Sequence, residues 1–261
     1  MLRFTANLSL LFTEVTLEQR FEAAKSAGFK AVEIQFPYEL PAHTIHQALT
    51  SQQLQLALFN VDADDLLHGG EGLAAIPEKQ AQFRTAVAQA ADYAKILKPE
   101  AINILPGRCF ESGRLSEYQQ TFIDNLRYAL AAFSPLGIKT VFEAINSIDM
   151  PDFIIDSSEQ MLAVMTDINH PDLFMQYDIY HAVRMGENPA LFIPEQAHKI
   201  GHIQFADCPN RHEPGTGTIN FPALFSTIQH ANYSGWIGAE YKPLHSTESS
   251  FDWLIKHTPS K

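Results

Sequence analysis

Short apolar runs alternate with longer amphipathic segments from one end of the chain to the other. The short runs are typical of β-strands, and the longer segments place their apolar residues at helical spacing. The pattern predicts strands at residues 2–8, 31–36, 55–61, 101–107, 138–144, 173–179, 200–207 and 235–241. It predicts helices at residues 16–28, 42–52, 77–97, 116–133, 157–168, 189–198, 221–231 and 248–257.

Eight strands that alternate with eight helices predict an α/β fold, a (β/α)8 barrel that forms a single domain over residues 1–261. The length agrees, because barrels of this architecture typically have about 250 residues. A doubly wound open sheet is the competing arrangement. It is disfavoured because no G-x-G-x-x-G motif follows the first strand and no change of composition suggests a second domain.

Composition narrows the class of protein further. The net charge of -12 argues against nucleic acid or an anionic membrane as a partner. Only two cysteines occur and they form no C-x-x-C motif, which argues against a disulfide framework or a thiolate zinc site. No apolar stretch approaches the ~18 residues that span a bilayer. We therefore expect a soluble, cytoplasmic protein.

Four successive predicted strands end in oxygen-bearing side chains. These are Glu143, Asp178, Gln204 and Glu240, each about one strand-helix unit after the last. Because side chains alternate along a strand, each of the four can be placed on one face of its strand. Catalytic residues of such barrels come from the carboxyl ends of several strands, so the four side chains are expected to converge.

Three carboxylates and one amide oxygen form a set of hard oxygen donors. Such a set suits Mg²⁺ or Mn²⁺ better than zinc. Three like charges in a partly dry pocket repel one another, which favours a bound divalent cation. The alternative for each single residue is a helix cap or a turn residue, a common role for a polar side chain at a strand end.

Four segments together resemble a known family: "TVFEAIN", "MQYDIYH", "HIQFADCPNRHEPGTGTINF" and "IGAEYKP". The chain is similar over essentially its whole length to the hydroxypyruvate isomerase-like group of the xylose-isomerase-type barrels. It is especially similar to the 2-oxo-tetronate isomerases of that group. The most specific stretch is residues 203–221, with its R-H-E-P-G-T-G turn.

The resemblance implies that Glu143, Asp178, Gln204 and Glu240 bind a divalent metal. It also implies that Glu143 and Glu240 are the proton-transfer pair, which agrees with strands five and eight lying on opposite sides of an eight-stranded ring. One glutamate would remove a proton from a hydroxyl-bearing carbon beside a carbonyl, and the other would return a proton at the neighbouring carbon. A cis-enediolate, stabilised by the metal, would lie between the two steps.

Two further residues are predicted to contact the substrate. His181 is expected in the loop after strand six, where it can hydrogen-bond a carbonyl or enediolate oxygen; packing beside Tyr180 is the alternative. Arg211 follows strand seven, and its planar fork suits a carboxylate or vicinal oxygens. A surface ion pair with Glu213 is the alternative for this arginine.

These expectations predict an isomerase acting on a small hydroxy-oxo acid. A 2-oxo-tetronate is the first choice of substrate and hydroxypyruvate the second, while epimerisation of a ketose uses the same two glutamates. A metal-dependent abasic-site nuclease is disfavoured because strands two and three end without zinc-binding histidines and the chain is acidic. A catalytically inactive binding protein is disfavoured because both glutamates are present. A homo-oligomer is compatible with such barrels, but no interface is specified.

Overall fold

A computed structural model describes residues 1–255 of the protein. Within this range eight parallel strands pair in chain order, and β8 pairs with β1, so that the sheet closes into a barrel. The strands are β1 (Arg3–Asn7), β2 (Ala31–Ile34), β3 (Gln55–Asn60), β4 (Ala101–Asn103), β5 (Lys139–Glu143), β6 (Leu173–Asp178), β7 (Ile200–Phe205) and β8 (Trp236–Ala239). The predicted barrel is confirmed.

Helices cover the outside of the barrel. Within residues 1–255 they are α1 (Leu17–Ser26), α2 (Ala42–Gln52), α3 (Gln80–Leu97), α4 (Leu115–Phe133), α5 (Ser158–Ile168), α6 (Ile179–Arg184), α7 (Pro189–Gln196), α8 (Phe221–His230) and α9 (Asp252–Ile255). The short α6 directly follows β6 and was not predicted. The helix predicted at 248–257 is a 3-10 turn at Glu248–Ser250 followed by α9, and positions 256 and 257 lie outside the described residues.

Local sequence signals explain where helices begin and end. Gln19 accepts a hydrogen bond from the backbone N–H of Thr16 at 3.1 Å, which caps the start of α1. Gly28 follows this helix with φ of 96°, a conformation that favours glycine. At α8, the side chain of Asn220 accepts a hydrogen bond from the backbone N–H of Ala223 at 3.2 Å.

The two faces of the strands bury different kinds of side chain. Outward residues such as Phe142 and Ile203 pack against the helices in the large hydrophobic core. Inside the barrel, the amino ends of the strands contribute a small apolar cluster that includes Val141 and Trp236. Gly201 leaves room there, since a Cβ atom at this position would lie 2.8 Å from the Cβ of Phe174. The polar residues of the interior therefore lie toward the carboxyl ends, above an apolar base.

No helix within residues 1–255 is both long and apolar enough to cross a membrane.

Candidate active site

The four predicted oxygen-bearing side chains lie at the carboxyl end of the barrel. Glu143 and Asp178 are the last residues of β5 and β6, Gln204 is the penultimate residue of β7, and Glu240 follows directly after β8. All four are buried, with at most 6% of their surface exposed. In the ring β5 and β8 are separated by β6 and β7, so the two glutamates are three strands apart rather than diametrically opposite.

Neutral amides hold the carboxylate of Glu143. Its Oε2 accepts a hydrogen bond from Gln176 Nε2 at 2.8 Å, and its Oε1 accepts one from Asn103 Nδ2 at 3.3 Å. The same Gln176 nitrogen donates to Gln204 Oε1 at 2.7 Å. Gln176 therefore joins two of the four predicted ligands.

Glu240 has a cationic neighbour in addition to two amides. Its Oε1 accepts hydrogen bonds from Asn7 Nδ2 at 2.9 Å and from Gln35 Nε2 at 3.0 Å. Its Oε2 accepts one from Arg211 Nη2 at 2.7 Å. Both oxygens of Glu240 are thus engaged, one of them in a charge-assisted hydrogen bond.

Asp178 presents one engaged and one free oxygen. Its Oδ1 accepts a hydrogen bond from the backbone N–H of Tyr180 at 2.7 Å and so caps α6. Its Oδ2 lies 3.5 Å from His181 Nε2 and 3.7 Å from Arg211 Nη2. Among the described residues, this buried Oδ2 has no hydrogen-bond partner.

His181 lies in α6 and not in a loop, which corrects the sequence prediction. The aspartate cap of Asp178 lets a helix begin immediately after β6, and this turns His181 inward, where it is only 4% exposed. The backbone N–H of Asn146 donates to Nδ1 at 3.4 Å, so Nε2 carries the hydrogen and faces Asp178. Burial, aided by the nearby Arg211, holds the pKa of His181 well below its usual value, and the ring is neutral.

Arg211 reaches into the site and does not pair with Glu213. It lies against Glu240 and Asp178, and its guanidinium stacks over the ring of Tyr180 at 5.2 Å. The carboxylate of Glu213 instead accepts a hydrogen bond from the backbone N–H of Leu244. The arginine is therefore in a position to meet a substrate carboxylate or vicinal oxygens beside Glu240.

A single buried carboxylate organises the loop that carries Arg211. Asp207 accepts hydrogen bonds from four backbone N–H groups, those of Cys208, Gly215, Gly217 and Ile219, at 2.8 to 3.1 Å. Gly217 is required here, since a Cβ atom would collide with the carbonyl oxygen of Cys208. The loop is also joined to the segment after Glu240, because the backbone N–H of Lys242 donates to Arg211 O at 2.8 Å.

Burial dominates the electrostatics of the carboxylates. It raises the pKa of Glu143 well above its usual value, and the negative charges of Glu240 and Asp178 add to this effect. Burial also raises the pKa of Glu240. Since the positive charge of Arg211 opposes this effect, the pKa of Glu240 rises to about 7. The pKa of Asp178 is raised by burial as well, again against the opposing effect of Arg211. The guanidinium of Arg211 therefore does not fully offset the cost of burying three carboxylates together.

The residues present fit a divalent cation. No three His, Cys, Asp or Glu side chains within residues 1–255 are already arranged as a metal site, and Arg211 Nη2 lies 2.7 Å from Glu240 Oε2 and 3.7 Å from Asp178 Oδ2. However, the unpartnered Asp178 Oδ2 and the mutual repulsion of the clustered carboxylates, which contributes to the raised pKa of Glu143, both favour another cation. The donors are carboxylate and amide oxygens, the ligands that Mg²⁺ and Mn²⁺ prefer.

Sequence reasoning missed several polar residues beside or beneath the four. They are Asn7, Glu33, Gln35, Asn103, Gln176 and His202. A signal was available for two of them. Gln176 shares a strand face with Asp178, and Glu33 interrupts the apolar run of β2. The two cysteines, Cys109 and Cys208, are both buried and unpaired, as expected for a chain without disulfides.

Comparison with known proteins places the chain in a family. Residues 21–257 match the family described as "Xylose isomerase-like TIM barrel". The chain is 40% identical over 254 residues to a hydroxypyruvate isomerase of Escherichia coli strain K12, covering 97% of this chain and 98% of the relative. It is 39% identical over 251 residues to a 2-oxo-tetronate isomerase of Pectobacterium atrosepticum, covering 96% of each chain.

Solved structures share the fold. A crystal structure described as an AP endonuclease, family 2, from Brucella melitensis has a TM-score of 0.95 at 36% identity, covering 99% of this chain and all of that chain. A structure of the IOLI protein with a bound zinc atom has a TM-score of 0.74 at 16% identity, over 98% of this chain and 96% of that one. At that identity the second likeness concerns the fold alone, although it shows a metal bound by a barrel of this shape.

Proposed function

The chain belongs to the xylose isomerase-like TIM-barrel family, as an isomerase of the hydroxypyruvate and 2-oxo-tetronate kind, and we propose that it converts a 2-oxo-tetronate into the 3-oxo-tetronate with the help of a divalent metal. The observation that supports this reaction most directly is the pair Glu143 and Glu240. Both are buried at the same end of the barrel, and each is held by a different set of partners.

Two proton transfers carry out this reaction. One glutamate takes the proton from carbon 3, which bears a hydroxyl and lies beside the carbonyl at carbon 2. The other glutamate delivers a proton to carbon 2, and the proton of the hydroxyl passes to the former carbonyl oxygen, so that atoms balance. The handedness of the substrate decides which glutamate acts first. General acid–base catalysis by positioned side chains of this kind contributes about 10²- to 10⁴-fold to a rate.

Glu143, Asp178, Gln204 and Glu240 are proposed to hold the metal, which is Mg²⁺ or Mn²⁺. A bound divalent cation supplies Lewis-acid stabilisation of the negative charge that develops on the two substrate oxygens. The remaining tasks belong to the protein, which orients the substrate and excludes water from the buried carboxylates.

His181 and Arg211 are proposed to bind the substrate. The neutral His181 directs its Nε2–H toward Asp178 Oδ2, so it can donate to a substrate oxygen placed next to this carboxylate. Arg211 contributes the cation nearest to Glu240 and suits the carboxylate of an acid. Together they favour an oxo acid over a neutral sugar, with a small molecule and not nucleic acid as the partner.

Hydroxypyruvate is the second candidate substrate, supported by the 40% identity to the relative from Escherichia coli. Its conversion to tartronate semialdehyde uses the same two proton transfers on a chain shorter by one carbon. Discrimination between the two acids then depends on how the pocket contacts the terminal hydroxymethyl group of the tetronate.

A proton NMR screen in deuterated water tests the proposal. The protein with Mg²⁺ or Mn²⁺ is incubated with 2-oxo-tetronates, hydroxypyruvate and neutral ketoses, and deuterium incorporation beside the carbonyl is followed. We expect incorporation and isomerisation with a 2-oxo-tetronate, and neither after treatment with a chelator. Turnover of hydroxypyruvate alone would reassign the substrate, turnover of ketoses alone would indicate an epimerase, and inactivity on every acid would refute the proposal.

A parallel assay tests for the endonuclease activity that the description of the Brucella melitensis structure names. An abasic-site DNA duplex is incubated with the protein and either Mg²⁺ or Zn²⁺. We expect no cleavage, because the net charge of -12 opposes binding to the negatively charged backbone of DNA.

A further inference from the structure

A buried carboxylate lies beneath the candidate active site and has no part in the proposed proton transfers. Glu33 is in the middle of β2, points into the barrel and is completely buried. Its Oε1 accepts hydrogen bonds from Gln204 Nε2 at 2.7 Å and from Asn7 Nδ2 at 3.1 Å. Its Oε2 lies 2.7 Å from His202 Nε2.

The fold makes room for this carboxylate. Gly238 on β8 faces Glu33, and a Cβ atom at position 238 would overlap both carboxylate oxygens. A buried charge is costly unless it is paired and hydrogen-bonded, and here Asn7, His202 and Gln204 all lie within hydrogen-bond distance of the carboxylate of Glu33. The interior of the barrel therefore provides both the space and the polar partners that a buried carboxylate at Glu33 requires.

The hydrogen bonds to Glu33 determine how the neighbouring side-chain amides are oriented. A carboxylate accepts hydrogen bonds, so Gln204 must turn its nitrogen toward Glu33 and its oxygen the other way. That oxygen faces the site, where Gln176 Nε2 donates to it at 2.7 Å. Asn7 is oriented in the same manner, and the nitrogen that donates to Glu33 also donates to Glu240.

We propose that Glu33 is a positioning residue that fixes the amide of Gln204 with its oxygen toward the metal site. This inference rests on the proposed function, because the orientation is useful only if Gln204 Oε1 is a metal ligand. The two ends of an amide have nearly the same shape and differ in hydrogen bonding, so only the partners decide which end faces the carboxylates. An inverted Gln204 would present N–H groups, which do not bind Mg²⁺ or Mn²⁺.

Metal affinity tests the inference without reliance on activity. Binding of Mn²⁺ is measured by electron paramagnetic resonance for the wild-type protein, for Glu33→Met and for Glu33→Gln. Glu33→Met removes both acceptor oxygens, and we expect about 10- to 100-fold weaker binding, the usual loss when a partner of a metal ligand is removed. Glu33→Gln keeps one acceptor oxygen for Gln204 Nε2 and is expected to restore most of the affinity.

The matched control is Thr5→Val, a substitution of another completely buried residue, in β1. The hydroxyl of Thr5 has no hydrogen-bond partner among the described residues, and Mn²⁺ affinity should not change. Unchanged affinity in Glu33→Met would overturn the inference. A wild-type protein that binds no Mn²⁺ would instead refute the metal site of the proposed function.

Neutron diffraction decides the orientation directly if Glu33→Met does not fold. In crystals of the wild-type protein, soaked in deuterated water and free of metal, the ND₂ group of Gln204 is expected to point at Glu33. An ND₂ group directed toward the site would refute the positioning role whether or not a metal binds.

Discussion

Glu143 and Glu240 are the same residue type at the same end of one barrel, but their surroundings differ. Among residues 1–255, the carboxylate of Glu143 accepts its hydrogen bonds from two neutral amides, those of Gln176 and Asn103. The carboxylate of Glu240 meets two amides and the guanidinium of Arg211. Burial accordingly raises the pKa of Glu143 well above its usual range, while Arg211 limits the raised pKa of Glu240 to about 7.

This difference suggests a division of labour. In the protein without a bound metal, burial favours the protonated form of Glu143, whereas Arg211 favours ionisation of Glu240. Pairs of titratable groups whose environments separate their pKa values are the usual basis of acid and base assignments. For a 2-oxo acid of the handedness that directs its carbon-3 proton to Glu240, we propose Glu240 as the base and Glu143 as the acid.

Removing either glutamate has the largest expected effect. Glu240→Gln and Glu143→Gln should each lower kcat about 1,000-fold, because each removes one of the two proton carriers. Circular dichroism should show an intact fold. If Glu240 is the base, Glu143→Gln still exchanges the proton of substrate carbon 3 with deuterated water, whereas Glu240→Gln does not. Normal turnover by Glu240→Gln would refute the two-glutamate mechanism.

Arg211 separates the pKa of Glu240 from that of Glu143, so removal of this arginine should bring the two pKa values closer together. Arg211→Met is expected to lower kcat/KM about 100-fold, since a cation beside developing charge is lost. It should also move the acidic limb of the pH profile of kcat/KM upward, because the pKa of Glu240 rises without its cation. Arg211→Lys keeps the charge but not the planar fork, and it should retain the acidic limb. An unchanged pH profile in Arg211→Met would show that Arg211 does not control the pKa of Glu240.

Asp207 affects the surroundings of Glu240 indirectly, because it holds the loop that carries Arg211. Asp207→Asn turns an NH₂ group toward backbone N–H donors and leaves buried donors unsatisfied, which costs roughly 1–3 kcal/mol of unfolding free energy. We expect about 10-fold lower kcat/KM as Arg211 loses its fixed position, measured together with a urea unfolding curve. Glu213→Gln in the same loop alters a carboxylate that accepts a hydrogen bond from the backbone N–H of Leu244, outside the network of Asp207, and should change both quantities little.

The smallest expected effect is on stability as a function of pH. A carboxyl group whose pKa is raised on folding stabilises the fold below its unfolded pKa and loses this contribution as the pH rises through its folded value. For Glu240 that window runs from 4.5 to about 7. The metal-free protein should therefore lose roughly 1–2 kcal/mol between pH 5.5 and 7.5 in urea unfolding. Glu240→Gln should reduce this slope, and saturating Mn²⁺ should remove it.

Periodicity was sufficient to predict the barrel, because each strand is an apolar run between polar turns. Its failures have local causes. β4 ends at Asn103 and not at residue 107, since the chain turns away before Pro106 and Gly107, where φ is 97°. The helix α6 was not predicted, although a helix cap was the stated alternative to a ligand role for Asp178, which caps it.

The site was harder to predict than the fold. Alternation along strands placed the four predicted ligands on inward faces, and the structure brings them to one end of the barrel. Alternation did not reveal Glu33, because both faces of a barrel strand are buried and hydropathy does not separate them. The partners of Glu240 depend on contacts distant in sequence, such as the one with Asn7, and no local pattern encodes them. The roles of all these residues stay predictions.

The pairing of β8 with β1 has a consequence for synthesis of the chain. Asn7 and Glu240 are 233 residues apart, and a ribosome adding about 5–20 residues per second needs on the order of 10–50 s to pass from one to the other. Until β8 emerges, a nascent chain exposes Glu143 without its counterpart. In the proposed mechanism, ring closure is therefore also the event that brings the two proton carriers together, and we expect a polypeptide stalled before that point to be inactive toward the substrate.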